Sequence, residues 1–334
     1  MKTFKNSELK TFEQLAMLTQ SSLKKVLASF LNKHYSKVVH TNEYIFAEGD
    51  IPVALVAHMD TVFKHPPEDI FFDSKKNVLW SPDGLGADDR AGVFAIVQII
   101  RSGLHPHIIF TTDEEVGGKG AMALAKLDCP FNDLKYIIQL DRRGSNDCVF
   151  YDCDNQEFVN YVEQFGFEWN FGTYSDISEI CPSWEVAGVN LSIGYRDEHS
   201  VSEVLFVGQM FSTIEKVKQM LIKASELEEP FKYIPSKNYY HYAFGYTNLP
   251  YNYHYGVMKC IHCKNYFMEE ELFPAVMQNG TTQFYCPDCL VDQVAWCDEC
   301  GSAFQKISLE APSHGLCPKC IELKEKKSNV TGTN

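Results

Sequence analysis

Long apolar runs are missing from this chain: no segment approaches the ~18 apolar residues of a membrane-spanning helix, which excludes such a span. The opening Met1-Lys2-Thr3-Phe4-Lys5-Asn6-Ser7 leads into a polar amphipathic stretch, with no apolar core of signal-peptide type. A soluble, cytoplasmic protein is therefore expected. Positive charge is scarce as well, with 30 Lys and Arg against 44 Asp and Glu and a formal net charge of −14. Binding to a phosphate backbone needs clustered cations, so nucleic acid is not expected as a partner. Internal repeats are absent apart from doubled Cys-x-x-Cys pairs.

What is present describes a globular protein: 45% of the 334 residues are hydrophobic and 13% aromatic. That length can bury a full core and still carry a second module. Of the 12 cysteines, eight lie between Cys260 and Cys320 in four Cys-x-x-Cys pairs, while Cys129, Cys148, Cys153 and Cys181 are scattered. Paired cysteines without a secretion signal point to metal, not disulfides.

Periodicity divides the chain. Residues 8–34 carry apolar positions near helical spacing, and 37–40 with 44–47 alternate as a strand pair around a turn. Val53–Ala57 is a continuous apolar run, the pattern of a strand buried on both faces. Helices (91–100, 118–126, 156–165 and a long one from 201 to about 227) then alternate with strands (107–112, 136–140, 189–193). This order predicts a three-layer α/β/α domain with a mostly parallel sheet over residues 1–227. An aromatic linker over 228–258, a cysteine module over 259–323 and a disordered tail over 324–334 complete the expected organisation.

Functional side chains of such sheets gather at the carboxyl ends of the strands. Five acidic or histidine positions fall there or at an adjacent turn: His58-Met59-Asp60, Asp88-Asp89, Glu114-Glu115, Asp141 and His199. Two histidines and three carboxylates suit two divalent ions with a shared carboxylate. Zinc is expected, although cobalt or manganese would accept the same ligands. More ordinary roles exist for some of these residues. Asp60 suits a turn, Asp141 an ion pair with Arg142 or Arg143, and Asp176 the start of a helix. His65, His105 and His107 have no matching partner and are expected on the surface or in loops.

Four segments carry a resemblance: Ala57-His58-Met59-Asp60-Thr61-Val62, Gly86-Ala87-Asp88-Asp89-Arg90-Ala91-Gly92, Thr112-Asp113-Glu114-Glu115-Val116-Gly117 and Gly194-Tyr195-Arg196-Asp197-Glu198-His199-Ser200. In this order, over residues 40–225, they resemble the metal-binding segments of the co-catalytic zinc exopeptidases. That superfamily, clan MH, includes leucyl-type aminopeptidases, tripeptidase T and glutamate carboxypeptidases. The resemblance implies that His58, Asp88, Glu115, Asp141 and His199 ligate two metal ions, with Asp88 bridging and a cis peptide joining it to Asp89. It implies Asp60 as the carboxylate orienting His58 and Glu114 as the general base. Only 57 residues separate Asp141 from His199, too few for the inserted lid domain of the tripeptidase and carboxypeptidase branch. An aminopeptidase-like enzyme acting on peptides is therefore expected, with Tyr195, Arg196 and Asp176 as candidate substrate contacts. Other amide hydrolysis, such as deacylation, and an inactive adaptor are the alternatives; the intact ligand set speaks against the adaptor.

In the cysteine module, Cys260/Cys263, Cys286/Cys289, Cys297/Cys300 and Cys317/Cys320 are separated by 22, 7 and 16 residues. Four thiolates close one tetrahedral zinc site, so eight are expected to hold two structural zinc ions. Sequential pairing gives zinc ribbons or a LIM-like arrangement, and a cross-brace is the alternative. From Lys259 onward 7 Lys and no Arg face 10 acidic residues, which suits a protein partner or self-association better than nucleic acid.

Overall fold

The computed structural model describes residues 2–236 and then 257–264, 266–268, 272–277, 282–300, 302–306, 314–318 and 320–322. Most of the expected aromatic linker, from Tyr239 to Tyr255, lies outside the described residues, as do Glu269-Glu270-Glu271 and the tail 324–334. The chain divides into two compact units, Met1–Tyr246 and Thr247–Asn334.

The first unit begins with two helices, α1 (Asn6–Ala16) and α2 (Gln20–His34). The Thr19 hydroxyl accepts the Ser22 N–H at 3.3 Å and so starts α2. A hairpin of β1 (Lys37–His40) and β2 (Tyr44–Glu48) follows, then the central strand β3 (Ile51–His58). Two short strands, β4 (Phe71–Asp73) and β5 (Val78–Trp80), precede helix α3 (Ala87–Arg101). Next come β6 (Pro106–Thr111), α4 (Lys119–Leu124), β7 (Tyr136–Arg142) and β8 (Asp147–Val149). The chain continues through α5 (Gln156–Glu163), β9 (Glu168–Trp169), α6 (Ile177–Trp184) and β10 (Gly188–Ser192). It closes with β11 (Tyr195–Arg196), β12 (Val204–Phe206) and α7 (Val207–Ala224).

Eight strands form one sheet in the order β1-β2-β6-β3-β7-β10-β8-β9. Its middle, β6-β3-β7-β10, is parallel, whereas β2 joins β6 and β8 joins β10 antiparallel. Successive side chains of β3 face opposite ways. Val53, Leu55 and Ala57 pack with Ile108, Phe110, Tyr136 and Ile138 beneath residues of α1, α2, α3 and α7. Ala54 and Val56 pack with Ile109 and Ile137 against α4 and α6. Helices cover both faces, which is why β3 is apolar at consecutive positions. The architecture is three-layer α/β/α, as the alternation predicts.

The segment between Asp141 and His199 forms β8, β9 and β10 of the same sheet with α5 and α6, and holds no inserted domain. Beyond α7, Phe231 donates its N–H to Lys135 O at 2.9 Å and accepts from Ala187 at 2.8 Å. Its ring lies 5.0 Å from that of Phe158, so this stretch belongs to the first unit's core.

Two expectations are corrected here. The long helix expected from residue 201 begins only at Val207, because Val204–Phe206 pairs antiparallel with β5 in a small sheet ordered β11-β12-β5-β4. Tertiary pairing overrides the helical period there. His107 is not on the surface; it is buried in β6. Its Nδ1 accepts the Gly49 N–H at 3.1 Å, Nε2 meets Asp133 Oδ1 at 3.0 Å, and the ring stacks on Phe131.

In the second unit β13 (Val257–Lys259) pairs with β14 (Tyr266–Met268), and β15 (Phe273–Val276) with β16 (Thr282–Tyr285). Helix α8 (Pro287–Gln293) leads into β17 (Val294–Cys297), which lies between β18 (Ala303–Gln305) and β19 (His314–Gly315). Among the described residues no helix of the chain is long and apolar enough to cross a membrane.

Leu55 is wholly buried at the centre of β3. Leu55→Ala should lower the first unit's stability by about 2–5 kcal/mol, read as an earlier urea midpoint with unchanged slope. An unmoved midpoint would contradict the packing described.

Candidate metal centre

The strand ends deliver the side chains. His58 closes β3 and is only 1% exposed. Its Nε2 lies 3.0 Å from Asp88 Oδ1 and 3.5 Å from Asp141 Oδ1, and its Nδ1 lies 3.3 Å from Asp60 Oδ1. Both Asp60 oxygens accept backbone N–H groups at 3.0 Å, Oδ1 from Glu114 and Oδ2 from Glu115. Asp60 thus lies against the imidazole that closes β3 and binds the backbone of the Glu114-Glu115 turn.

Asp88 stands where α3 is not yet a regular helix. Gly86 adopts φ 65°, a left-handed conformation that glycine takes without strain. Asp88 (φ −82°, ψ 102°) and Asp89 (φ −116°, ψ 41°) are non-helical, and the peptide between them is cis. Asp89 Oδ1 accepts the Gly92 N–H at 2.8 Å and Oδ2 the His58 N–H at 3.2 Å, tying α3 to β3. Gly92 is needed because a Cβ there would fall 2.3 Å from both Asp89 Oδ1 and Leu140 O.

Opposite His58, the half-exposed imidazole of His199 brings Nε2 to 3.1 Å from Glu115 Oε2 and 3.3 Å from Asp88 Oδ2. Asp141 is not paired with its neighbouring arginines. Arg143 pairs with Glu198 at 2.9 Å, and Arg142 donates to Phe171 O at 3.0 Å. Asp141 instead accepts the Tyr195 hydroxyl at 3.1 Å and the Ser175 hydroxyl at 3.2 Å. Tyr195 is therefore buried behind Asp141, while Arg196 lies exposed over the Phe206 ring. Asp176 is 0% exposed, with Oδ2 accepting the Thr111 hydroxyl at 2.5 Å.

Electrostatics ties the cluster together. Burial raises Glu114, and the carboxylates of Asp141, Asp176 and Glu115 push it further, well above its ordinary value. Burial and the neighbouring Asp88 carry Asp141 up to about 7. Burial would also raise Asp88, but hydrogen bonds from His199 and His58 outweigh it and hold that carboxyl below the usual range. The same two acids, Asp88 and Glu115, raise His199 to about 11. Burying this many acids is unfavourable without cations. In each of two sets, His58–Asp88–Asp141 and Asp88–Glu115–His199, one donor atom per residue lies within 4.8 Å of the others, and Asp88 belongs to both. Glu114 forms a similar group with His58 and Glu115. Glu115 Oε1 is buried with no hydrogen-bond partner. The donor set fits divalent cations.

One participant escaped the sequence pattern. Glu203 is 0% exposed and accepts the backbone N–H groups of Ala87 and Asp88, each at 3.0 Å. Burial first, then the Asp88 carboxylate, pushes it up to about 8. Its place four residues after His199 was the available signal, but it sits in a stretch that reads as the start of a helix.

In the second unit the cysteines gather sequentially, Cys260 and Cys263 with Cys286 and Cys289, and Cys297 and Cys300 with Cys317 and Cys320. Backbone N–H groups of Cys286, Cys263 and His262 oppose the effect of burial and bring Cys260 down to about 6. Those of Cys317 and Cys300 do the same for Cys297.

No family model matches the chain, and no curated protein does. Solved structures do match. Aminopeptidase PepT from Bacillus cereus ATCC 10987 gives a TM-score of 0.54 at 15% identity, over 65% of this chain and 98% of that one. A tripeptidase from Staphylococcus aureus subsp. aureus Mu50 gives 0.54 at 13%, over 66% and 98%. A TET aminopeptidase from a marine-sediment thaumarchaeon gives 0.52 at 13%, over 66% and 99%. The likeness establishes a common fold.

Asp60→Ala would leave the Glu114 and Glu115 N–H groups without their acceptor. In chelator-treated protein it should cost about 1–3 kcal/mol of stability, read by thermal unfolding. A midpoint equal to that of the parent would mean these bonds contribute nothing.

Proposed function

We propose that the first unit, with its aminopeptidase-type fold, is a metal-dependent exopeptidase that releases residues from the free amino end of peptides. His58, Asp88 and Asp141 hold one divalent ion, and Asp88, Glu115 and His199 a second, with zinc the favoured metal. The observation that carries this is the sharing of Asp88 between two donor sets with Glu114 beside them. Ions so placed lower the pKa of water and polarise the scissile carbonyl. The remaining work falls to the chain. Asp60, its Oδ1 3.3 Å from His58 Nδ1, orients the imidazole so that Nε2 faces the metal set. Glu114, its carboxyl raised by burial among other acids, takes the proton of the attacking water and delivers it to the leaving amine. The amino-end preference is supported by the fold shared with aminopeptidases and by the lack of an inserted domain between Asp141 and His199. In the second unit, each cysteine tetrad holds one structural zinc ion, which supplies the folding energy that so small a core lacks.

The decisive experiment combines metal analysis with free-amino, acetylated and C-terminally blocked peptides. Chelator-sensitive cleavage of free-amino peptides alone supports the proposal. Turnover of acetylated substrates would indicate a deacylase, and zinc confined to the cysteine tetrads without any turnover an inactive adaptor. Glu114→Gln should lower kcat by about 10²–10⁴-fold at unchanged metal content. Loss of metal in that variant would remove Glu114 from the role of base. Cys317→Ser should lose one tightly held zinc ion, counted by native mass spectrometry, and full retention would refute the second tetrad.

A further inference from the structure

We propose that Glu203 is a positioning residue that sets the shared carboxylate of Asp88 against His199, an inference that rests on the two-ion reading of the site. Both Glu203 oxygens are engaged at the start of α3, Oε2 by the Ala87 N–H and Oε1 by the Asp88 N–H, each at 3.0 Å. First-turn N–H groups have no acceptor within their own helix, and a carboxylate there is favoured by charge-assisted bonding and by the helix dipole. The backbone at Asp88 leaves helical geometry (ψ 102°), so the direction in which its side chain emerges depends on how that peptide is held. Glu203 holds it.

The same residue belongs to the turn that presents His199. The Glu203 N–H donates to Ser200 O at 3.1 Å, and the Ser200 hydroxyl donates to Asp197 O at 2.7 Å. Immediately afterwards, Val204 and Phe206 pair with Trp80 and Val78. Glu203 is thus anchored on both sides and joins two ligand-bearing segments that are far apart in sequence. Asp88 lies at the head of α3, and His199 in a loop outside the eight-stranded sheet. The 3.3 Å approach of His199 Nε2 to Asp88 Oδ2 is the distance this strut governs. The carboxylate is wholly buried and bonded to the Ala87 and Asp88 N–H groups, so its effect passes through Asp88.

Glu203→Gln keeps the shape and one acceptor oxygen but turns an amide NH₂ toward a backbone N–H. In the full chain, stripped of metal and titrated with Zn²⁺ against a chromophoric chelator, this variant should hold the weaker ion of the first unit about ten-fold less tightly or worse. Its kcat on a cleaved peptide should fall in parallel with little change in KM, and far-ultraviolet circular dichroism should match the parent. Parent-like affinity for both ions in Glu203→Gln and in Glu203→Ala would overturn the strut. Loss of the circular dichroism signal in Glu203→Gln would assign the residue to the fold and overturn it equally. A parent protein that binds no ion in its first unit would instead remove the two-ion reading itself. A parent that binds two ions but cleaves nothing would remove only the peptidase, leaving the affinity comparison to decide.

Discussion

Negative charge crowded into a space that water hardly reaches is the constraint on which the first unit is built. Asp60, Asp88, Asp89, Asp176 and Glu203 are buried, and Glu114, Glu115 and Asp141 nearly so. Among the described residues, His58, His199 and Arg90 stand beside them as groups of opposite charge. Like charges this close cannot all be ionised, so they sort themselves. Imidazoles and N–H groups hold Asp88 and Asp60 below the usual carboxylate range against the effect of burial, whereas burial among other acids drives Asp89, Glu114 and Asp141 above it. Divalent cations would relieve that crowding of charge, and under the proposed function an acid raised in this way is suited to accept a proton.

The scaffold answers the constraint with backbone amides and with the N-terminal helices. Asp60, Asp89 and Glu203 each accept two N–H groups near the site, so the loops are bonded to one another through carboxylates. Arg90, almost fully buried, donates to Met59 O and to Leu18 O, joining the loop after β3 to the connection between α1 and α2. Gln20 at the head of α2 makes a double hydrogen bond with Asp113, at 2.8 Å to its carboxylate and 3.1 Å from its N–H. The helix pair at the front of the chain is therefore a brace for the Asp60 and Glu114 loops. Its amphipathic pattern alone shows only that one face is buried.

That difference marks the limit of what the sequence reveals. The central sheet was legible because β3, β6, β7 and β10 are covered on both faces, and their apolar runs end abruptly in His58, Glu114-Glu115 and Asp141. The cysteine spacing was legible because each pair brings its own ligands. Short elements were not: β4, β5, β11 and β12 have two or three residues each, less than one alternation can declare. Glu203 was hidden for the same reason, since its turn and strand imitate the polar side of the following helix. His107 in β6 was misread because its partners, Gly49 and Asp133, are distant in sequence and meet it only in the fold.

The sulfur tetrads differ from the acidic centre in how much chain each must wait for. Cys260 to Cys289 and Cys297 to Cys320 are two separate spans, neither interleaved with the other. As the polypeptide leaves the ribosome, either span could close on a metal ion once its own last cysteine has emerged. The proposed two-ion centre would need His58, Asp88, Glu115, Asp141 and His199 together, and so the greater part of the first unit. Sequential grouping of the cysteines would therefore make their unit locally self-sufficient in synthesis, whereas the acidic centre can be completed only late.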